Sequence, residues 1–177
     1  MRIIDASNNY IEEVNLSLPK LESLNLMNNY LKKFPKLKNM KKLKVLDLTS
    51  NKITDFKNVM AGATPNIERL ELSRNDLQFE TEQEFSHFIQ ILRQFTKLKT
   101  FQIQGNPFLK IERLKQIRQI NVKEKFLKNL SSLERFNGED VSKIRLQDED
   151  ADGLSSSLNE DEQSQLSQTT SKFENGE

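Results

Sequence analysis

The sequence predicts an α/β solenoid: short parallel strands stacked into one curved sheet, with turns and helices on the convex side and a helical cap at the C-terminal end. Three observations predict it. The segment Leu43 to Ile53 reads Leu-x-x-Leu-x-Leu-x-x-Asn-x-Ile, and four other segments repeat the pattern. An asparagine closes each unit, at Asn9, Asn29, Asn51, Asn75 and Asn106, with intervals of 20, 22, 24 and then 31 residues. The longest interval carries a helical apolar period that the shorter ones lack.

The five units justify themselves in turn. Leu21 to Leu31 and Ile67 to Leu77 fit the pattern at every position; Leu98 to Phe108 fits with aromatics in two apolar slots; Met1 to Ile11 fits with a small Ala6. Side chains alternate along a strand, so in the third unit Leu46 and Leu48 point into the core while Asp47 and Thr49 point out. No unit can bury its apolar face alone, so successive units must stack. The asparagines follow each strand, where the chain bends and backbone groups lose their ladder partners. A buried carboxamide satisfies such groups as donor and acceptor at once.

This pattern is the signature of the leucine-rich repeat. Repeats of 20–24 residues leave room only for a short turn or 3₁₀ segment on the convex side. The crossing from residue 32 to 44 holds Lys32, Lys33, Lys36, Lys38, Lys41, Lys42 and Lys44. Phe34, Leu37, Met40 and Leu43 recur there at threes, which turns them inward and leaves the lysines in solvent. The surface is either a plain solvated face or an attractant for phosphate, lipid or acidic tubulin tails. Aromatics are not interleaved with the lysines, so a stacking platform for single-stranded nucleic acid is not expected.

Residues 78–97 predict a helix. Thr81 with Glu84 makes a capping box, and Phe85, Phe88, Ile89, Leu92 and Phe95 form one apolar stripe for core packing. His87, the single histidine, lies off the stripe on the solvent side. After Asn106-Pro107, residues 109–129 read as a basic helix that Asn121 and Glu124 could restart. Residues 130–141 then close the ladder. Repeats over 1–108, a cap over 109–145 and an acidic tail over 146–177 follow.

The Asn-Pro, helix and final strand ending in Asn137-Gly138-x-x-Val141 resemble the C-terminal cap of the short intracellular leucine-rich repeat class, with Asn137 where that class usually has Asp. The class includes the phosphatase-1 regulator type, the spliceosomal A-prime protein, outer-arm dynein light chain 1 and the acidic nuclear phosphoproteins. The resemblance spans roughly residues 1–145 and implies a non-enzymatic adaptor. The lysine-rich surface and the inserted helix look more like ciliary and cytoskeletal members. The order of repeats, cap and acidic tail resembles the nuclear ones.

Composition agrees. Of 177 residues 35% are hydrophobic, and there is no cysteine, hence no disulfide, thiolate or zinc-cysteine site. No apolar run approaches the roughly 18 residues of a membrane span, and the N-terminus is already a repeat. An intracellular protein is expected, in cytoplasm, cilium or cytoskeleton first and nucleus second. With no Walker or Rossmann glycine pattern and one isolated histidine, neither catalysis, cofactor nor metal is expected. The net charge of +1 hides a split: residues 148–177 carry nine acids and one lysine, leaving an excess of nine positive charges on the rest. That tail has too little apolar surface to offset its ordering entropy and should be disordered. Asp148, Asp150, Asp152 and Gly153 open like an EF-hand loop but lack the closing Glu, with Asn159 in its place. Gln165 to Thr169 distantly resembles a peptide taken by the dynein light-chain hub. Ser157 and Ser171 suit an acidophilic kinase.

The expected binding face is the concave one. Asp5, Asn25, Asp47, Glu71 and Gln102 form one outward row, and Ser7, Met27, Thr49, Ser73 and Gln104 the next, with Tyr10 and Tyr30 beside them as apolar anchors. Asp5, Asp47 and Glu71 read as an acidic stripe for a helix or peptide with basic flanks, in a partner protein of a larger complex. No helix or hairpin stands before the first repeat to cover its edge, which leaves three readings: Arg2, Asp5 and other polar residues make the edge tolerable, a partner docks there, or the true start lies upstream. If Met1 is the true start, residues 3–11 should be the least protected part of the isolated domain until an assembly buries them.

Overall fold

The structure is a computed structural model that describes residues 1–54, 56, 59, 64–107 and 122–144. The readings placed on the acidic tail, the EF-hand-like loop, the 165–169 peptide, Ser157, Ser171, Asn121 and Phe108 lie outside those residues.

Residues 1–138 form one compact unit. Its backbone is a parallel sheet of very short strands: β1 (Ile3–Asp5), β3 (Ser23–Asn25), β5 (Val45–Asp47), β6 (Arg69–Glu71), β7 (Thr100–Gln102) and β8 (Arg135–Phe136), side by side in that order. The register is uniform: Ile4 pairs with Leu24, Leu24 with Leu46, Leu46 with Leu70, Leu70 with Phe101, and Phe101 with Phe136. Leu21, Leu24, Leu26 and Leu31 are buried, as are their counterparts Leu43, Leu46, Leu48 and Ile53 in the third repeat and Ile67, Leu70, Leu72 and Leu77 in the fourth. Each such side chain stabilises by about 1.5–3 kcal/mol on burial. In the first repeat Ile4, Ala6, Ile11 and Leu16 are only half-buried, because no preceding layer is present among the described residues.

On the other side, β2 (Asn15–Leu16) and β4 (Lys36–Leu37) pair in parallel as a second, two-stranded sheet. The sequence predicts only a tight turn there. The inward set Phe34, Leu37, Met40 and Leu43 is buried as the period of three requires, and all seven lysines are exposed. The extended pairs arise because lysines flanking one apolar residue suit a strand edge as well as a turn.

The asparagines build a continuous spine. Asn51 Oδ1 accepts the Leu31 N–H of the preceding repeat at 3.0 Å, while its Nδ2 donates to the carbonyls of Leu26, Leu48 and Thr49. Asn29, Asn75 and Asn106 repeat the scheme, taking the N–H groups of Ile11, Ile53 and Leu77. Asn9 departs from it. It is exposed and bonds only within its own repeat, to the carbonyls of Ala6 and Ser7. The residue before each asparagine is left-handed: Asn8, Asn28, Ser50, Arg74 and Gly105 have φ of 58°, 54°, 56°, 56° and 81°. Glycine adopts that conformation freely, and Asn bears it better than most side chains. A Cβ on Gly105 would also approach Arg74 Cγ to 3.2 Å.

The predicted helix over 78–97 is shorter, α1 at Glu82–Leu92. Thr81 caps it as expected, its side chain accepting the Glu84 N–H at 3.2 Å, but Glu84 reaches back to the Glu80 N–H rather than to that of Thr81. Phe85, Phe88, Ile89 and Leu92 are buried on it, and Phe95 is buried beyond its end. Helix α2 (Val122–Asn129) places Phe126 against Phe85, Phe88, Phe101 and Phe136. Lys125 fastens α2 to α1 through Glu82 at 2.7 Å and lies over the Phe85 ring.

Asn137 explains the Asp or Asn of the cap pattern. In every interior pair the N–H two residues past the central strand residue meets a backbone carbonyl of the next strand, as Leu72 N–H meets Gln102. At the end of the sheet the chain turns left-handed at Asn137, and its side-chain Oδ1 takes the Ile103 N–H instead, at 2.9 Å. Glu139 opens a second unit. It holds β9 (Glu139–Asp140) and a helical turn over 141–144, in which Asp140 accepts both the N–H and the hydroxyl of Ser142.

Candidate protein-binding face

The outward face of the sheet carries three rows, not two. The register aligns Asp5, Asn25, Asp47, Glu71 and Gln102, with Ser7, Met27, Thr49, Ser73 and Gln104 two residues further along each chain. A third row, Ile3, Ser23, Val45, Arg69, Thr100 and Arg135, lies two residues before the first. The alternation of strand side chains could have found it. It puts two arginines on a face otherwise read as acidic.

Local bonds decide what each acid presents. Asp5, Asn25 and Asp47 each fold a side-chain oxygen onto the N–H two residues on, at Ser7, Met27 and Thr49, at 2.9–3.0 Å. The Ser7 backbone N–H, then its hydroxyl, hold the Asp5 carboxyl below its ordinary value. Glu71 is one methylene too long for that turn. It is buried, 4% exposed, and its Oε1 lies 2.6 Å from Arg69 Nε. Burial raises its pKa, against the lowering by Arg69. Glu71 is therefore not an exposed member of an acidic stripe. Ser73 is also buried, and its Oγ has no hydrogen-bond partner among the described residues. Asp5 and Gln104 are exposed, whereas Asn25, Met27, Asp47, Thr49 and Gln102 are half-buried.

A raised carboxylate pKa means that ionising Glu71 costs folding stability. Its contribution is fully present below the ordinary value of 4.5 and is lost as pH rises through the raised folded value. Glu71→Gln is therefore expected to be more stable than the parent at pH 7, with the gap closing as pH falls towards 4.5. Urea unfolding at pH 4, 5.5 and 7 checks it; a gap that widens on acidification would show that the Arg69 pair dominates.

Beside the rows stands a column formed by the residue after each asparagine. The rings of Tyr10 and Tyr30 stack 5.7 Å apart at 12°, and Lys52 Nζ sits 4.6 Å from the Tyr30 centroid. Tyr10 is 85% exposed. On the convex side, Lys36 pairs with Glu13 at 3.0 Å and Lys44 lies 3.8 Å from Glu68. Lys32, Lys33, Lys38, Lys41 and Lys42 make no ion pair among the described residues. A cleft of about 310 Å³ opens between Glu12, Glu13, Lys32, Lys33 and Lys36. His87 is exposed and edges a cavity of about 120 Å³ walled by Phe56, Phe79, Phe88 and Ile91. No three His, Asp or Glu side chains among the described residues could hold a metal ion, and none of the described helices is long and apolar enough to cross a membrane.

A stack of strand-and-turn units on an asparagine spine, with one sheet face left open, defines a solenoid of the repeat class. Residues 19–77 match the leucine-rich repeat family, and the fold is that of a leucine-rich-repeat solenoid. Its fold is similar to that of a chain in the Drosophila melanogaster SNF/U2A' complex, with a TM-score of 0.62 and 22% identity over 78% of this chain and 73% of that one. An internalin from Listeria monocytogenes str. 4b F2365 is also similar, with a TM-score of 0.47 and 18% identity over 67% of this chain and 28% of that one. No curated protein matches the chain in sequence.

Proposed function

We propose that this chain is a non-enzymatic adaptor that docks a helix or extended peptide of a partner protein along the outward sheet face, as one subunit of a larger assembly. The observation that carries it is the three rows of side chains held in one register across five strands. At Asp5, Asn25 and Asp47 the turns are fixed by side-chain bonds, so this part of the face is organised before a partner arrives. Met27, with Tyr10 and Tyr30 alongside, supplies residue types favoured at interface centres, and Arg69, Asp47 and Gln102 give polar contacts around them.

A ciliary or other cytoskeletal assembly is the first setting proposed, with the convex lysines as a secondary contact for acidic segments such as tubulin tails. The second is a nuclear assembly of the spliceosomal A-prime type, supported by the fold shared with a chain of the SNF/U2A' complex; a phosphatase regulator is a further variant of the adaptor reading. Localising a tagged chain separates the first two. The docking face is tested by affinity purification with mass spectrometry on the parent, on Met27→Lys with Asp47→Asn, and on Lys41→Glu with Lys42→Glu. Asn keeps the oxygen that Thr49 needs, so the first double variant should fold. It is expected to lose the main partner at least tenfold while the lysine variant keeps it; retention by a folded Met27/Asp47 variant would overturn the reading.

A further inference from the structure

The charges along the rim of the sheet cancel in pairs. The residues that lead into the six parallel strands are, in order, Arg2, Glu22, Lys44, Glu68, Lys99 and Glu134. From Glu22 onward each backbone N–H donates to the carbonyl of the one before. Their signs alternate, and they pair as Arg2 with Glu22 at 3.4 Å, Lys44 with Glu68 at 3.8 Å and Lys99 with Glu134 at 2.9 Å. Closely paired opposite charges add little net field to the sheet beside them. The charge that a partner meets is therefore set by the rows on the face itself.

On those rows the charge is divided. Strands β1 and β5 present Asp5 and Asp47. Over β6, β7 and β8 the row Arg69, Thr100 and Arg135 presents two exposed guanidinium groups on either side of a half-buried threonine. Each guanidinium is anchored and still has donors to spare. Arg69 gives its Nε to the buried Glu71 at 2.6 Å, and neither of its Nη groups meets an acceptor among the described residues. Arg135 gives one Nη2 bond to the Gly138 carbonyl at 3.1 Å and keeps Nε and Nη1. No exposed acid of the rows stands beside them: the next row continues from Glu71, which is buried, to Gln102. Glu134 is held by Lys99. Neighbouring strands lie about 4.8 Å apart, so the two arginines start about 10 Å apart, a span that their long side chains can close from either side.

We propose that this half of the face is a phosphate-binding subsite, which takes a phosphorylated side chain of the docked segment between Arg69 and Arg135 and over Thr100; it rests on the reading that a partner segment lies along the sheet face. A phosphomonoester carries roughly −2 at pH 7 and three strong acceptor oxygens, so two guanidinium forks can engage it at once. A carboxylate has only two oxygens and is filled by one fork. The bonds to Glu71 and Gly138 hold each arginine near its place, which limits the freedom lost when it closes on the anion. Glu71 is then a positioning residue: it occupies the Nε side of Arg69 and leaves the Nη pair for the partner. The division of charge also gives the segment a polarity. Its phosphate lies over β6 to β8, and basic residues lie towards Asp47 and Asp5.

The probe is a pentapeptide of glycines with phosphoserine at its centre, blocked at both ends. It is titrated into the full chain and followed through the arginine Nε–H and backbone amide signals by NMR. Movement of the Arg69 and Arg135 signals and of the Thr100 amide is expected, with saturation in the millimolar range. Arg135→Gln leaves the Arg69–Glu71 pair intact, so it should fold, and it should weaken binding about tenfold, the usual worth of hydrogen bonds to a charged group. Arg69→Lys keeps the charge but loses the fork, and should weaken binding by about as much. Lys41→Glu with Lys42→Glu, on the convex side, should leave binding within about twofold. The same peptide with Glu in place of phosphoserine should bind about tenfold more weakly than the phosphopeptide. Equal binding by the Glu peptide, unchanged affinity in Arg135→Gln, or no arginine movement up to tens of millimolar peptide would overturn the proposal. So would a uridine pentanucleotide that binds these arginines more tightly than the phosphopeptide, which would make nucleic acid the occupant. The pentapeptides reach this subsite alone. Their failure removes the phosphate and leaves the docking face standing, because that reading is tested separately by partner loss from the Met27→Lys, Asp47→Asn variant.

Discussion

Asn75→Ala is expected to destabilise residues 1–138 by about 3–5 kcal/mol, since each buried group left unpaired costs about 1–3 kcal/mol and relaxation recovers part of it. The side chain is 3% exposed. Its removal strands the Ile53 N–H and three acceptors, the carbonyls of Leu48, Leu72 and Ser73. Two of those groups belong to the preceding repeat, so the loss falls on the joint between units. Asn75→Asp separates the two halves of the role. It keeps the acceptor for Ile53 but turns an oxygen towards three carbonyl oxygens, and is expected to cost as much as alanine. Asn9→Ala, at the exposed start of the same row, should cost less than about 1 kcal/mol, the usual net worth of solvent-accessible hydrogen bonds. Urea unfolding of the three variants decides the matter. An aspartate variant as stable as the parent would mean that the donor half is dispensable, and an Asn9 variant as damaged as Asn75→Ala would mean that position, not burial, sets the cost.

That contrast marks where the sequence speaks and where it falls silent. The pattern of leucines and asparagines is legible because each repeat must bury the same positions, and Leu46 and Leu70 sit in register as the pattern implies. Pattern cannot say that Asn9 stands outside the spine, since its letter is identical and it differs only in having no preceding layer among the described residues. The left-handed turn before each asparagine is marked unevenly: Asn8, Asn28 and Gly105 are residue types that suit it, whereas Ser50 and Arg74 adopt it for the sake of the bend. Row membership on the sheet face follows from alternation, but exposure does not. Glu71 and Asp47 occupy equivalent positions, and one extra methylene sends the first to Arg69 while the second folds onto its own backbone. The β2–β4 ladder leaves no mark in the sequence, because two-residue strands have no period to read.

Phe126→Ala is expected to cost about 3–5 kcal/mol, the usual range for emptying a buried aromatic site. Phe126 is fully buried, and its ring centroid lies 5.5 Å from those of Phe85 and Phe101 and 5.4 Å from that of Phe136. It thus joins both helices to the last two strands. Contacts near perpendicular, 85° to Phe85 and 88° to Phe88, add to simple burial. Phe126→Leu refills most of the volume and loses the ring contacts, so about 1–2 kcal/mol is expected. The damage should also have an address. In a solenoid each unit contacts only its neighbours, and stability is a sum of local terms. Amides of β7, β8 and α2 are therefore expected to exchange faster in Phe126→Ala by a larger factor than those of β3 and β5, which lie two or more repeats away. Native-state hydrogen exchange on the full chain reads this directly. A uniform loss of protection from β3 to β8 would show that the first 138 residues unfold as one cooperative block, and that the aromatic cluster stabilises every repeat rather than the C-terminal ones.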